Sequence, residues 1–365
     1  MKCIDVAVIG AGPAGAVAAH WLARAGRSVT LIDPAKLPAG PDSSARKKVG
    51  ESLPGAARPL LRHLGLLSLV ENHPQHTPAY GNCSSWGSSE LQFMDFIQDV
   101  NGLGWHLDRA VFDQDLRFAA KIAGADLKFD KVDIEATADG WLLRIPNQVL
   151  FCRWLIDATG RAAIVARNHG SRRIKDDRLM AVYTWIPSNN PDSRTLIEAC
   201  SLGWWYTSQL ADSSRIVSFH TENLLAGELL KTPSLWWQIL EQTQHLKSLV
   251  KNVSAPIHLH CREAGGARLD RFVGERWLAT GDAALSFDPL SSQGIFNAIY
   301  TGMKAAQSVN DSLNGKKDAL AEYTSRLESI RSAYLSHQFR YYDSERRWPE
   351  SMFWKTRQKS ALNAG

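Results

Sequence analysis

Three glycines, Gly10, Gly12 and Gly15, follow directly on the apolar run Ile4 to Ile9. Such a run reads as a buried strand, and the apolar stretch after the glycines, through Ala25, reads as a helix. In that setting each glycine has a separate task. Gly10 permits the tight turn, Gly12 lets the backbone approach a pyrophosphate, and Gly15 lets the helix pack closely on the strand. The N–H groups at the helix start, with its dipole, then hold phosphate. Pro13 and Ala14 complete the turn. A second strand-like run, Ser28 to Ile32, ends at Asp33, where an acidic residue accepts from a ribose hydroxyl. The chemistry written here is the binding of a dinucleotide.

Other reactive side chains are scattered. Arg46-Lys47-Lys48 closes a loop rich in Pro, Gly, Ser and Ala, and leads into Val49-Gly50-Glu51-Ser52. The basic triplet suits a pyrophosphate, or simply a solvated loop. Glu51 is the strongest acid/base candidate, and a carboxylate that closes a loop is its alternative reading. The chain has 13 tryptophans. Trp86, Trp105, Trp204 and Trp205, with Tyr206, serve either as cross-strand packing or as a wall for a flat ring. Trp204 and Trp205 are adjacent on a strand and must face opposite ways, so at most one lines a given cavity. Trp205 is the candidate. His258 and His260 share a strand face, but two ligands without a third do not make a metal site.

The elements that must position these residues alternate along the chain. At 365 residues the length suits two domains, or one large α/β domain with an insertion. Helical spacing covers Ala56 to Leu67 and Phe112 to Ile122, with Asp108 or Asp113 near the start of the second. Strand-like runs gather at Ala79–Trp86 and Leu91–Ile97, and again from Asp126 to Ile156. From Leu179 to His220 β-rich runs alternate with polar turns, the pattern of a mostly antiparallel sheet. Ser234 to Val250 reads as one helix and Ile257 to Arg262 as a strand. A helix follows Gly294 to about Leu313, and Leu320, Tyr323, Leu327, Ile330 and Tyr334 mark an amphipathic one.

Composition excludes several classes. No apolar run is long enough to span a bilayer, and a net charge of +5 spread along the chain does not imply nucleic acid. The 5 cysteines are scattered, odd in number and never in a CxxC pair, which argues for reduced thiols and a cytoplasmic address. Met1-Lys2 leads almost directly into the first strand, so no signal peptide is expected.

Five separated motifs resemble, in order, those of class A flavoprotein monooxygenases and the related flavin-dependent halogenases. They are GAGPAG (10–15), VGES (49–52), DRAVFDQDL (108–116), DATGR (157–161) and GDAALSFDPLSSQG (281–294). The resemblance implies an α/β fold, α+β overall. A Rossmann-type FAD-binding domain carries an inserted antiparallel β-sheet cap domain and a C-terminal helical tail. Residues 1–78, 101–170 and 271–317 would form the first, 79–100 and 171–270 the cap, and 318–365 the helical segment. Non-covalent FAD is the implied cofactor. Gly10, Gly12, Pro13, Ala14, Gly15 and Asp33 would hold its ADP half, and Arg46 or Lys48, with Arg109, would meet the phosphates. Asp157, Gly281 and Asp282 would border the ribityl and pyrophosphate region. The helix start at Gln293, Gly294 and Ile295 would aim its positive end at the flavin pyrimidine. Pro289 would line the place where O2 meets the flavin. Glu51, Pro289 and Trp205 are the catalytic candidates.

Halogenases carry a lysine roughly thirty residues past the GES-like loop and a WxWxIP segment. Here no lysine occurs between Lys48 and Lys121, and Gly203-Trp204-Trp205-Tyr206-Thr207-Ser208-Gln209 replaces the second motif. Halogenation is therefore not expected. The segments around Gly81–Ser88, Gly104–Arg109, Gly203–Tyr206 and Arg347–Trp354 resemble a narrower family. Its members are the flavoproteins that mature glycine and lysine oxidases containing cysteine tryptophylquinone. That resemblance implies a partner, the oxidase precursor protein, and oxygenation of a tryptophan indole on it. An enzyme acting on a free aromatic compound, or a flavin-stabilised binder of the precursor, are the alternatives. The source of reducing equivalents is left open. The aromatic tail, Arg346 to Arg357, is expected to pack on the cap rim through Trp354 and to offer Arg346 and Arg347 to a partner.

Overall fold

The computed structural model describes residues 1–34, 47–250 and 258–359. The strand Lys2–Ile9 lies between two parallel neighbours, Gln148–Asp157 and Val29–Ile32. Both its faces are covered, which is why it is almost unbroken in apolar residues. The sheet continues through Asp126–Lys128 on one side and Trp277–Ala279 and Val273–Gly274 on the other. The antiparallel strands Gly140–Ile145 and Asp133–Thr137 extend it from Gln148–Asp157. The helix Pro13–Arg24 leaves the first strand and packs on the long helix Gly294–Leu313. The two touch at their backbones: a Cβ on Gly302 would sit 2.3 Å from the Ala14 carbonyl oxygen. The helix Arg109–Ile122 is capped by Asp108, whose carboxylate accepts from the Ala110 and Val111 N–H groups.

A second sheet of seven strands forms the other half of the molecule. In spatial order it runs His260–Glu263, Leu179–Pro187, Ser214–Glu222, Gly203–Gln209, Thr195–Cys200, Gly81–Ser85 and Gln92–Asp95. All its pairings are antiparallel except that of Thr195–Cys200 with Gly81–Ser85. The doubly wound sheet, the inserted sheet and the C-terminal helices match the expected architecture. Three local readings change. Thr195–Cys200 is a further strand and Asn223–Lys231 a further helix. The segment read as one helix, Ser234 to Val250, is two, Pro233–Glu241 and Leu246–Leu249. The break is held from outside: the buried Glu198 carboxylate accepts from the backbone N–H groups of Gln244, His245 and Leu246. Among the described residues no helix is long and apolar enough to cross a membrane.

The C-terminal helices, Ala319–Ser344 and Met352–Lys359, close the structure against the second sheet. Trp354 is fully buried, its indole Nε1 donating to the Cys200 carbonyl at 2.9 Å and its ring edge-on to Trp86 at 5.2 Å. Trp348 stacks on it at 6.0 Å. Arg347 does not face outward as expected. Its Nε lies 2.9 Å from Glu345 Oε1 and its Nη2 3.1 Å from the Ser85 carbonyl, so the guanidinium ties the tail to the sheet. Arg346 is exposed and pairs with Asp343. Trp354→Ala should therefore destabilise the protein by ~3–5 kcal/mol, the usual cost of emptying a buried aromatic site. A thermal melt checks this; an unchanged melting temperature would show that the tail is an appendage.

Candidate active site

Between the two sheets lies a cavity of about 660 Å³. Its floor starts where the first strand ends. Gly10 has φ +100°, and a Cβ there would lie 2.2 Å from the Ala158 carbonyl oxygen. A Cβ on Gly15 would lie 1.9 Å from the Gly10 oxygen. These two glycines are demanded by packing. Gly12 is different: a Cβ there meets nothing within 4 Å, and the residue lines the cavity with Pro13 and Ala14. Asp33 stands behind this turn, accepting from the Ala11 N–H at 2.7 Å. Arg117, buried in the helix Arg109–Ile122, donates to the Ala11 carbonyl at 2.7 Å and lies 3.9 Å from Asp33. The sequence reading missed Arg117. Its signal was the four-residue spacing of Arg109, Asp113 and Arg117, which puts three charges on one helical stripe.

The same stripe fixes one side of the mouth. Asp113 is buried and accepts from Lys48 at 2.7 Å and from Arg109 at 3.2 Å. Burial pushes its carboxyl up, but Arg109 and Lys48 outweigh burial and hold it below the usual range. Arg109 also donates to the Gly50 carbonyl at 2.6 Å, fixing the loop that carries Glu51. Lys47 bridges that loop to Asp212 at 2.6 Å. Glu51, 2% exposed, accepts from the Gly50 N–H and Ser208 Oγ at 3.0 Å each and from the Tyr206 hydroxyl. Burial first, and then the Glu51 charge, push the Tyr206 phenol well above its ordinary pKa. Tyr206 therefore keeps its proton and gives it to Glu51 as a hydrogen bond.

The far side is the end of the second glycine-rich motif. Asp288 caps the short turn Pro289–Ser291 by accepting from the Leu290 N–H at 2.9 Å. Pro289, Ser292, Gly294 and Ile295 line the cavity there. The helix Gly294–Leu313 begins at this wall with no side-chain cap, and so does Pro13–Arg24, leaving two sets of N–H groups free to meet a ligand. A Cβ on Gly294 or Gly160, both on the wall, meets nothing within 4 Å. Asp282 is on the wall, 3.6 Å from Arg161.

Several candidates lie elsewhere. Asp157 is fully buried, its carboxylate accepting from Thr159 and from the Ala166 N–H, so it shapes the turn and leaves the wall to Ala158 and Gly160. Gly281 packs, with a Cβ there 2.7 Å from the Ala14 Cβ. Gln293 is exposed at the helix start. Trp205 is corrected: it faces the far side of its sheet, stacked on Phe219 at 4.5 Å and edge-on to Trp236 at 4.9 Å. Strand alternation gives the cavity face to Trp204 and Tyr206, and Tyr206 is the one that lines it. Arg46 lies outside the described residues.

A doubly wound sheet, an open glycine turn and two uncapped helix starts on one cavity make a dinucleotide-binding site. A family model described as FAD dependent oxidoreductase matches residues 5–64. LodB of Marinomonas mediterranea, designated an FAD-dependent oxidoreductase, is 31% identical over 370 residues, 98% of this chain and 97% of its own length. The chain belongs to the FAD-dependent oxidoreductase family that includes LodB. Two solved structures share the fold. The myxobacterial chondrochloren halogenase CndH superposes with a TM-score of 0.86 at 20% identity, covering 98% of this chain and 86% of its own. QhpG, a peptidyl tryptophan dihydroxylase essential for tryptophylquinone cofactor biogenesis, superposes with a TM-score of 0.78 at 22% identity, covering 98% and 79%.

The residues present fit FAD: Gly12, Gly160 and Gly294 all line the cavity with nothing within 4 Å of where a Cβ would sit, and both helix starts border it. Gly12→Val should fold, since its φ of −74° suits any residue and its Cβ direction is open, yet fail to take up FAD. Gly15→Ala should instead be destabilised by its clash with the Gly10 carbonyl. Flavin absorbance after desalting, beside a melt, checks both; a yellow Gly12→Val protein would contradict the site.

Proposed function

We propose that this chain is an FAD-dependent monooxygenase that oxygenates a tryptophan of a precursor protein, during biogenesis of a cysteine tryptophylquinone amino-acid oxidase. The observation that carries the proposal is the two-walled cavity. One wall is built for a dinucleotide, and the other is the aromatic sheet face with Tyr183, Tyr206 and His220. Whole-length likeness to LodB and the shared fold with a peptidyl tryptophan dihydroxylase support the same reading. In it, residues 1–78, 101–170 and 271–317 form the cofactor domain, 79–100 and 171–270 the cap, and 318–365 the helical closure.

Non-covalent FAD would supply the oxygenating chemistry, with O2 as oxidant. The glycine turn at Gly12, Pro13 and Ala14 would hold its pyrophosphate, backed by Asp33, and Asp282 would border the chain between phosphate and ring. Lys48 and Arg109 would keep the mouth positive. The helix start at Gly294 and Ile295 would present its positive end to the ring. Glu51 is fixed by Tyr206, Ser208 and Gly50, so its carboxylate is a positioned proton acceptor at the cavity edge. Pro289 walls the side on which O2 would arrive. Lys47 and Lys48, the lysines of the wall, are each paired with an aspartate, Asp212 and Asp113. Among the described residues no lysine of the wall stands outside an ion pair, which supports oxygenation over halogenation.

Co-expression with an oxidase precursor, followed by peptide mass spectrometry, tests the proposal. Added oxygen on a precursor tryptophan is expected, and should disappear with Gly12→Val. An unmodified precursor beside FAD-loaded protein, or a halogenated one, would contradict it.

A further inference from the structure

The strand Ser214–Glu222 runs through the middle of the seven-stranded sheet, with Leu179–Pro187 and Gly203–Gln209 on either side. Ser218 and His220 are two apart, so they share a face, and both line the cavity. Both are buried, at 0% and 3% exposed. Neither Ser218 Oγ nor His220 Nδ1 has a hydrogen-bond partner among the described residues. Buried polar atoms are almost always paired. Two orphans side by side on a cavity wall mark a place that a ligand completes.

The register gives the shape of that ligand. Ser218 stands opposite Tyr183 on one neighbouring strand and Tyr206 on the other. A short side chain thus sits between two aromatic ones, which leaves a slot. His220 stands opposite Ala181 and Trp204, and its ring lies flat on Trp204 at 3.7 Å and 8°. The small Ala181 keeps the space beside the imidazole open. A flat ring fits between such walls.

The electrostatics give its charge. Burial pushes the His220 imidazole down to about 3, so it is neutral at physiological pH. The Tyr206 hydroxyl is already engaged by Glu51 and Ser208, so it adds no charge to the slot. Glu263 on the rim is paired with Lys175 at 2.7 Å. The exposed Arg262 stands opposite Ala181 on the next strand, while the two orphaned atoms themselves, a hydroxyl oxygen and a nitrogen of a neutral imidazole, can each accept from a neutral donor.

Resting on the reading of the chain as a tryptophan-directed monooxygenase, we infer that Ser218 and His220 recognise the ring N–H of the substrate indole. They are specificity residues on the sheet wall, opposite the cofactor wall. The test is a binding titration of FAD-loaded protein, followed by flavin absorbance, with 3-methylindole and 1,3-dimethylindole as probes. The first should bind at least about tenfold more tightly than the second, the usual worth of one hydrogen bond to a buried group. Ser218→Ala should lower 3-methylindole affinity to that of its N-methyl analogue, and His220→Gln serves as a second variant. Equal affinity for the two indoles, no saturable binding of 3-methylindole, or full discrimination in both variants would overturn the inference. The readout is binding, not turnover. Discrimination without precursor oxygenation would sink the monooxygenase reading and leave this slot, and the converse would do the opposite.

Discussion

The structure depends on one buried carboxylate. Asp288 accepts from the Leu290 N–H through one oxygen, and through the other from the Tyr342 hydroxyl at 2.7 Å and Gln338 at 3.3 Å. Its own N–H donates to the Tyr334 hydroxyl at 2.9 Å. Tyr334, Gln338 and Tyr342 come from the helix Ala319–Ser344, and Tyr342 in turn accepts from Trp204 of the sheet at 3.1 Å. One residue thus registers the Pro289 turn, the C-terminal helix and the aromatic wall. Burial pushes the Asp288 carboxyl up, against hydrogen bonds that pull it down. Removing any partner would leave a buried polar group unpaired, which is costly in such surroundings.

A second tie works from the opposite side. Glu51 joins the loop after the basic residues to Tyr206 and Ser208 of the sheet, and Lys47 joins the same loop to Asp212 and Ser214. The wall that carries the glycine turn and the aromatic wall are therefore held at a fixed separation by hydrogen bonds from both ends. Positioning of this kind is what a reaction between a bound cofactor and a bound ring requires.

Much of this was legible in the chain. The glycine turn was, because each glycine answers a local demand and the flanking strands announce themselves by composition. Asp33 was read as an acceptor for a ribose; the structure shows it accepting from the Ala11 N–H and lying 3.9 Å from Arg117, contacts that spacing alone does not give. What was hidden depends on long-range pairing. Trp204 and Trp205 are equally buried, so no contrast along the strand said which faces the cavity. Glu198, from a different strand, holds the start of the helix Leu246–Leu249, and the sequence around Gln242 holds no sign of it. Arg347 read as surface charge because its carbonyl partner on Ser85 lies 262 residues away.

The central claim is that one cavity holds both partners of the reaction, FAD along the glycine turn and the ring against the sheet. A crystal structure of the FAD complex tests it most directly. The account expects the pyrophosphate at Gly12 to Ala14 and the flavin ring at Pro289, Gly294 and Ile295, with the slot at Ser218 and His220 left open. A flavin ring seated in that slot, or bound outside the cavity, would contradict it.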